Sequence, residues 1–271
     1  MIQFHSRLLF VFFLSACILV ACKTDKTPVN SNAPEVSCDD NLPPIVMLHG
    51  FLGSGDTYAK QVMRFTSNDY CLERLFTFDW NSLDNNAADS LLDIFIDDVL
   101  TATGAEKVDL MGHSAGGSLS YEYLSDAQRA TKIRRYVHIA SGVQNGPAGP
   151  NGNIPTLNIW SDADEVVSSG DIPGAENVML TGADHYEAAT AERTFEAIYT
   201  FLNDGKSPQV TEITPETAIK ISGKALTFAE NQPAIDATIE IYEVNSETGE
   251  RLRTSPDAIL APDAKGYWGP F

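Results

Sequence analysis

Gly112-His113-Ser114-Ala115-Gly116, followed by Gly117, is a G-x-S-x-G pattern. It offers a serine hydroxyl for attack on a carbonyl carbon. A hydroxyl is a weak nucleophile at neutral pH and needs a base, normally a histidine with a pKa near ~6.5. The chain has five histidines. His5 lies in the leading 1–21 segment, which reads as a signal peptide. His113 adjoins Ser114 and should point away from it. His138 sits inside the apolar stretch Arg135-Tyr136-Val137-His138-Ile139-Ala140 and reads as a hydrogen-bonded core histidine. His49 ends an apolar run and fits a turn better than a base. His185, in Gly182-Ala183-Asp184-His185, is left as the base. A third group must hold its tautomer and stabilise the imidazolium. Asp162, Asp164 and Glu165 compete for that role in Trp160-Ser161-Asp162-Ala163-Asp164-Glu165-Val166-Val167. Val166 and Val167 should anchor the turn in the apolar interior and hold Asp164 close to the strand end, which favours Asp164, with Asp162 as the alternative.

Alternating strands and helices should position these groups. The run 44–48 is apolar on both faces, as a buried parallel strand is. Further strands are predicted at 75–79, 108–111, 133–140, 157–160 and 177–180. Helices are predicted over 57–67, 87–104, 115–129 and 187–203, the second with Leu91, Leu92, Ile94, Phe95, Val99 and Leu100 at helical spacing. This alternation implies a mostly parallel sheet covered on both faces and wound right-handed. Ligands then bind outside the carboxyl ends of the strands, where Ser114, the acidic turn and His185 all fall. Glycines at 112 and 116 would relieve the crowding of a tight strand-to-helix turn. The Ala115 N–H, at a helix N-terminus, would face a developing oxyanion. The second donor should come from the loop after the first strand, His49-Gly50-Phe51-Leu52-Gly53, with the Phe51 N–H in that role.

The chain has 271 residues, and 37 Asp and Glu against 18 Lys and Arg give a net charge of −19. That excludes non-specific nucleic-acid binding, which needs a basic face. It also argues against electrostatic docking on anionic lipid. Residues 1–21 read as a signal peptide, with Arg7 in a basic start and an apolar stretch at 8–20 too short to span a bilayer. Leu19-Val20-Ala21-Cys22 resembles the lipobox of bacterial lipoproteins. The resemblance implies acylation of Cys22, a membrane anchor through that lipid, and a place in the bacterial cell envelope. By resemblance to diderm lipoproteins, Lys23, which is not Asp, directs the expectation to the outer membrane; in a monoderm source it would be the outer face of the only membrane. Residues 22–42 read as a tether. Cys38 and Cys71 remain beyond the anchor; in an oxidising compartment a disulfide between them is favoured over two free thiols, and it would join the amino ends of two strands if those strands are neighbours. No metal site or cofactor is expected, since His and Cys ligand spacing is absent.

Four stretches carry a resemblance to the α/β-hydrolase fold, and within it to small bacterial lipases: PPIVMLHGFLGSG, EKVDLMGHSAGG, IWSDADEVV and GAENVMLTGADH. They span about 43–203 within a predicted catalytic domain at 43–204. Ser114, Asp164 and His185 fall on that family's triad in its nucleophile–acid–base order, and Phe51 and Ala115 fall on its oxyanion positions. The resemblance implies hydrolysis of carboxylic esters, acylglycerols included, through an acyl-enzyme. Only 141–153 separates two strands where larger members insert a cap. A minimal lid or none is therefore expected, with an open mouth near Phe51, Leu52 and Val143. Amide, peptide or thioester substrates fit the same residues, and a non-catalytic surface lipoprotein is the reading from another class. Acyl-chain preference and oligomeric state are not written in these motifs.

Residues 205–271 change character. Short β-like runs at 218–221, 224–228 and 238–244 are separated by turns, the last run alternating in polarity, and 247–250 and 263–266 beyond them read as hairpin turns. The segment resembles the β-sandwich accessory modules of some microbial lipases. With so few strands it reads as a truncated module, the alternative being a short β appendage packed on the hydrolase.

Overall fold

A computed structural model describes residues 38–216 and 218–271. The signal peptide and Cys22 lie outside the described residues. Six strands form one parallel sheet: β1 (Ile45–Leu48), β2 (Leu75–Phe78), β3 (Val108–His113), β4 (Ile133–Ile139), β5 (Thr156–Ser161) and β6 (Glu176–Leu180). Their order is β2-β1-β3-β4-β5-β6. The winding reverses between β1 and β3, which creates a switch point where two connections leave in opposite directions. In register, Leu48 lies beside Gly112, His113 beside Ile139, and Ser161 beside Leu180. The carboxyl ends of the strands are thus level, and the loops that follow them share one edge.

The period-two alternation of the strands divides the core. Ile45 and Met47 of β1 face one apolar cluster, with Phe65 of α1 (Ala59–Thr66) and Phe195, Ile198 and Leu202 of α6 (Glu192–Leu202). Val46 and Leu48 face the other, with Leu92, Ile96 and Val99 of α2 (Ala88–Thr103) and Leu119, Tyr123 and Leu124 of α3 (Ala115–Ser125). Both faces of the sheet are therefore covered, the arrangement that a fully apolar β1 requires.

Three local expectations differ from the structure. The buried stripe of α2 runs 92, 96 and 99, and Leu91 and Ile94 are exposed on the outer face. The helix read over 115–129 breaks at Asp126, whose carboxylate accepts from the Gln128 and Arg129 N–H groups and starts α4 (Ala127–Ala130). The helix read over 187–203 is divided at Ala191 into α5 (Glu187–Thr190) and α6. Cys38 and Cys71 form a disulfide, with Cα atoms 4.9 Å apart. They precede β1 and β2, which are neighbours.

The C-terminal segment forms two small antiparallel pairs. β7 (Gly223–Lys224) pairs with β10 (Tyr267–Trp268), and β8 (Ile239–Ile241) with β9 (Ala258–Leu260). The turn at 263–266 therefore leads from one pair to the other and does not close a hairpin. Residues 218–221 are not a strand, but Ile221 and Phe271 exchange backbone hydrogen bonds of 3.0 and 2.9 Å. The whole of 218–271 belongs to the same compact unit as the sheet.

Candidate active site

Ser114 sits between β3 and α3 with φ 54° and ψ −122°. This is a backbone conformation that an L residue holds only when its surroundings force it. The surroundings are visible. A Cβ on Gly112 would lie 2.6 Å from the Gly116 carbonyl oxygen, and one on Gly116 would lie 2.5 Å from the carbonyl oxygens of Leu48 and His49. The two glycines let α3 pack onto the end of β1. The Ser114 N–H donates to the Ile139 carbonyl (2.9 Å), and the Ser141 hydroxyl donates to the Ser114 carbonyl (2.7 Å). The turn is pinned from both sides with its hydroxyl left over.

Asp164 and His185 come together. His185 Nδ1 donates to Asp164 Oδ2 at 2.8 Å, and Asp164 Oδ1 accepts from the N–H groups of Val166 (2.8 Å) and Val167 (3.1 Å). The Asp164 side chain is fully shielded from solvent. Burial alone would raise its pKa. The bonds from His185 and the two N–H groups outweigh that and hold it below the usual carboxylate range. Asp164 is thus kept ionised at neutral pH. The valines serve through their backbone. Val166 is 69% exposed, so its side chain does not anchor the turn in the interior. Asp162, the alternative acid, instead accepts from the Gly182 N–H at 2.8 Å and ties the loop after β5 to the loop after β6. Ser161 adds a second tie, to the Ala183 carbonyl at 2.6 Å.

His113 does more than point away from Ser114. Its Nε2–H donates to the His185 carbonyl at 3.0 Å, and the two imidazole rings are 4.7 Å apart. Burial and the neighbouring His185 pull its pKa down to about 4, so it holds the His185 backbone as a neutral donor. Its position one residue before the nucleophile hides this role in the sequence. His138 is fully buried between the Tyr136 hydroxyl (2.8 Å) and the Gly142 carbonyl (3.0 Å). Ser114 and His185 do not form a hydrogen bond in this structure.

The loop after β1 lies against Ser114, since a Cβ on Gly50 would sit 2.9 Å from the Ser114 Cβ. Around Phe51 the backbone is held. Gly53 N–H donates to Gly50 (3.1 Å), and Leu52 N–H donates to the Ser82 hydroxyl (2.9 Å). Ala115 opens α3, so its N–H has no partner within the helix. Phe51, Val143 and Val166, on the loops after β1, β4 and β5, are exposed along the same edge.

Family models match two stretches of the chain: "Lipase (class 2)" over residues 42–137 and "Lipase C-terminal domain" over 217–271. The chain is a lipase-like α/β-hydrolase. The first match contains β1 to β3 with the loop at Phe51 and the elbow at Ser114, and the second spans the small β pairs. Among solved structures the hydrolase is similar to a predicted CIB-like hydrolase from Thermoplasma acidophilum. The identity is 18% and the TM-score 0.48, covering 61% of this chain and 88% of that one. It is also similar to naproxen esterase from Bacillus subtilis (15%, 0.47, 62% and 86%) and to lipase BlEst2 from Bacillus licheniformis (17%, 0.47, 61% and 94%).

Proposed function

We propose that this hydrolase cleaves carboxylic esters through Ser114, His185 and Asp164. The observation that carries the reading is the hydrogen-bonded His185–Asp164 pair, whose imidazole lies 4.7 Å from the ring of His113, the residue just before a serine in a strained strand-to-helix turn. His185 Nε2 takes the Ser114 proton as Oγ attacks the ester carbonyl. Asp164 keeps the proton on Nδ1 and stabilises the imidazolium. The Phe51 and Ala115 N–H groups receive the oxyanion, each worth ~3 kcal/mol in the transition state. The imidazolium protonates the leaving alcohol, then His185 activates water to release the acid from Ser114. Exposed Phe51, Leu52 and Val143 at the rim favour an apolar acyl group. The connection at 141–153 carries one short 3-10 turn (Pro150–Gly152), which supports an open site.

Steady-state hydrolysis of p-nitrophenyl esters of increasing acyl length, beside amide analogues, tests the reading. Ser114→Ala should lose activity by about 10³-fold or more, with its fold intact. Ester turnover by that variant at the parent rate would refute it.

The same proposal extends to location. Leu19-Val20-Ala21-Cys22 supports a lipid anchor on Cys22 outside the cytoplasm, with Lys23 favouring the outer membrane.

A further inference from the structure

The C-terminal segment reaches under the loop that carries Phe51. Asn231 is buried there, with φ 55°, a conformation that Asn tolerates better than most residues. Its amide nitrogen lies 2.8 Å from the Trp80 carbonyl, 3.0 Å from the Gly53 carbonyl and 3.1 Å from His49 Nε2. The two carbonyls can only accept, so they take both protons of the amide. His49 Nδ1 lies 2.8 Å from the Gly50 carbonyl and so carries the ring proton. Nε2 then accepts from the Trp80 N–H at 3.2 Å, while the Trp80 indole donates to the His49 carbonyl at 3.1 Å. One side chain from residue 231 thereby closes a network holding residues 49, 50, 53 and 80. A second hold runs in parallel. The Ala229 carbonyl accepts from the Ser82 N–H (3.2 Å), and the Ser82 hydroxyl accepts from the Leu52 N–H. Farther along, Lys224 pairs with Asp79 at 2.8 Å, and Asp79 accepts from the Gly55 N–H at 2.7 Å. Phe51 lies between the anchored residues and has none of these bonds itself.

We propose that Asn231 is a positioning residue for ester hydrolysis. Through Gly53, Trp80 and His49 it sets the loop at 49–53 so that the Phe51 N–H meets the oxyanion. Asn231 then ties the C-terminal segment to the catalytic loop. The inference rests on Ser114 being the nucleophile. It predicts a specific kinetic signature, because a donor that acts only on the oxyanion changes kcat and leaves KM nearly unchanged.

The experiment uses the full chain and p-nitrophenyl butyrate. Asn231→Gly keeps the left-handed backbone and removes the amide. It should lower kcat by about 10- to 100-fold, below the ~10²–10³ of losing a donor outright, with KM within about threefold. Asn231→Ser, whose hydroxyl can donate to one carbonyl, should recover part of that loss and carries the test should the glycine variant not fold. Lys224→Gln loosens the same segment away from Phe51 and should lower Tm with kcat within about threefold. A kcat for Asn231→Gly and Asn231→Ser within threefold of the parent overturns the proposal. So does a loss confined to KM, or an equal fall in kcat for Lys224→Gln. Ser114→Ala run in parallel separates the two readings: activity surviving there removes the nucleophile, whereas a dead Ser114→Ala beside a normal Asn231→Gly removes only this inference.

Discussion

Gly116→Ala is a one-methyl change whose effect can be worked from distances. The added Cβ would stand 2.5 Å from the Leu48 and His49 carbonyl oxygens and 2.9 Å from the Leu48 carbonyl carbon. Ordinary contact begins near 3.4 Å. The start of α3 and the end of β1 must therefore separate by about 0.9 Å, and neither contact is the far end of a flexible side chain that could swing aside. The displaced pieces carry Ser114 and Ala115 on one side and the loop at Phe51 on the other. A misplacement near ~1 Å in a catalytic constellation costs about 10²-fold in rate. Overpacking costs about 1–3 kcal/mol of stability, or roughly 2–12 °C in Tm for a body of this size. The variant should thus be folded, moderately less stable and about 100-fold slower in kcat on p-nitrophenyl butyrate. Gly146→Ala is the control, because its Cβ would have no neighbour closer than 4.0 Å. It should match the parent in both measurements. If Gly116→Ala keeps kcat within threefold, the close packing of α3 on β1 does not set the catalytic geometry.

Acid should destabilise the fold before its carboxylates titrate. His113 and His138 are pulled down to about 4 by burial, so below ~6.5 the unfolded chain takes up protons that the native state refuses. Each costs ~1.4 kcal/mol per pH unit as pH falls from ~6.5 to about 4. Buried Asp109, pushed up to about 6 despite its bonds to Arg134, works in the opposite direction over much of that window. The net is one proton or more, since His49 is lowered as well, and urea unfolding at pH 6.5 and 5 should show stability falling by about 2 kcal/mol. A flat or rising stability would contradict the burial of these imidazoles as neutral groups. For the anchor, Cys22→Ala should shift the protein from the detergent-rich phase to the aqueous phase in detergent partitioning of whole cells, and unchanged partitioning would dismiss the lipid.

The residues differ in how openly the sequence declares them. Strands β1 to β6 were readable because each is a short apolar run bounded by turn residues, and their alternation with helices leaves few topologies. Ser114 stood out because its glycines have a steric reason local to five residues. His185 could be reached by elimination among five histidines. The acidic turn was harder. Asp164 meets His185 Nδ1 and the N–H groups of Val166 and Val167, while Asp162 accepts from the Gly182 N–H, and no local pattern of residues records which of the two folds onto His185. The outer face of α2 misled because Leu91 and Ile94 share the helical spacing of the buried Leu92, Ile96 and Val99, and only packing against the sheet decides which stripe turns inward. His113 and Asn231 were silent for a simpler reason. Their partners are backbone carbonyls, 72 residues away for His113 and 151 and 178 residues away for Asn231, and hydrogen bonds of that span leave no local trace.

The clasp between Cys38 and Cys71 has a mechanical consequence. It is reinforced by the Asp39 N–H bond to the Asp69 carbonyl, so any traction on the chain upstream enters the body through two adjacent strands at once. Those entry points lie at the amino ends of β1 and β2, roughly 13 Å of strand from the edge where Ser114 stands. A body tugged from its leader would pass that load into the far rim of its sheet, and the reacting atoms would stay at rest.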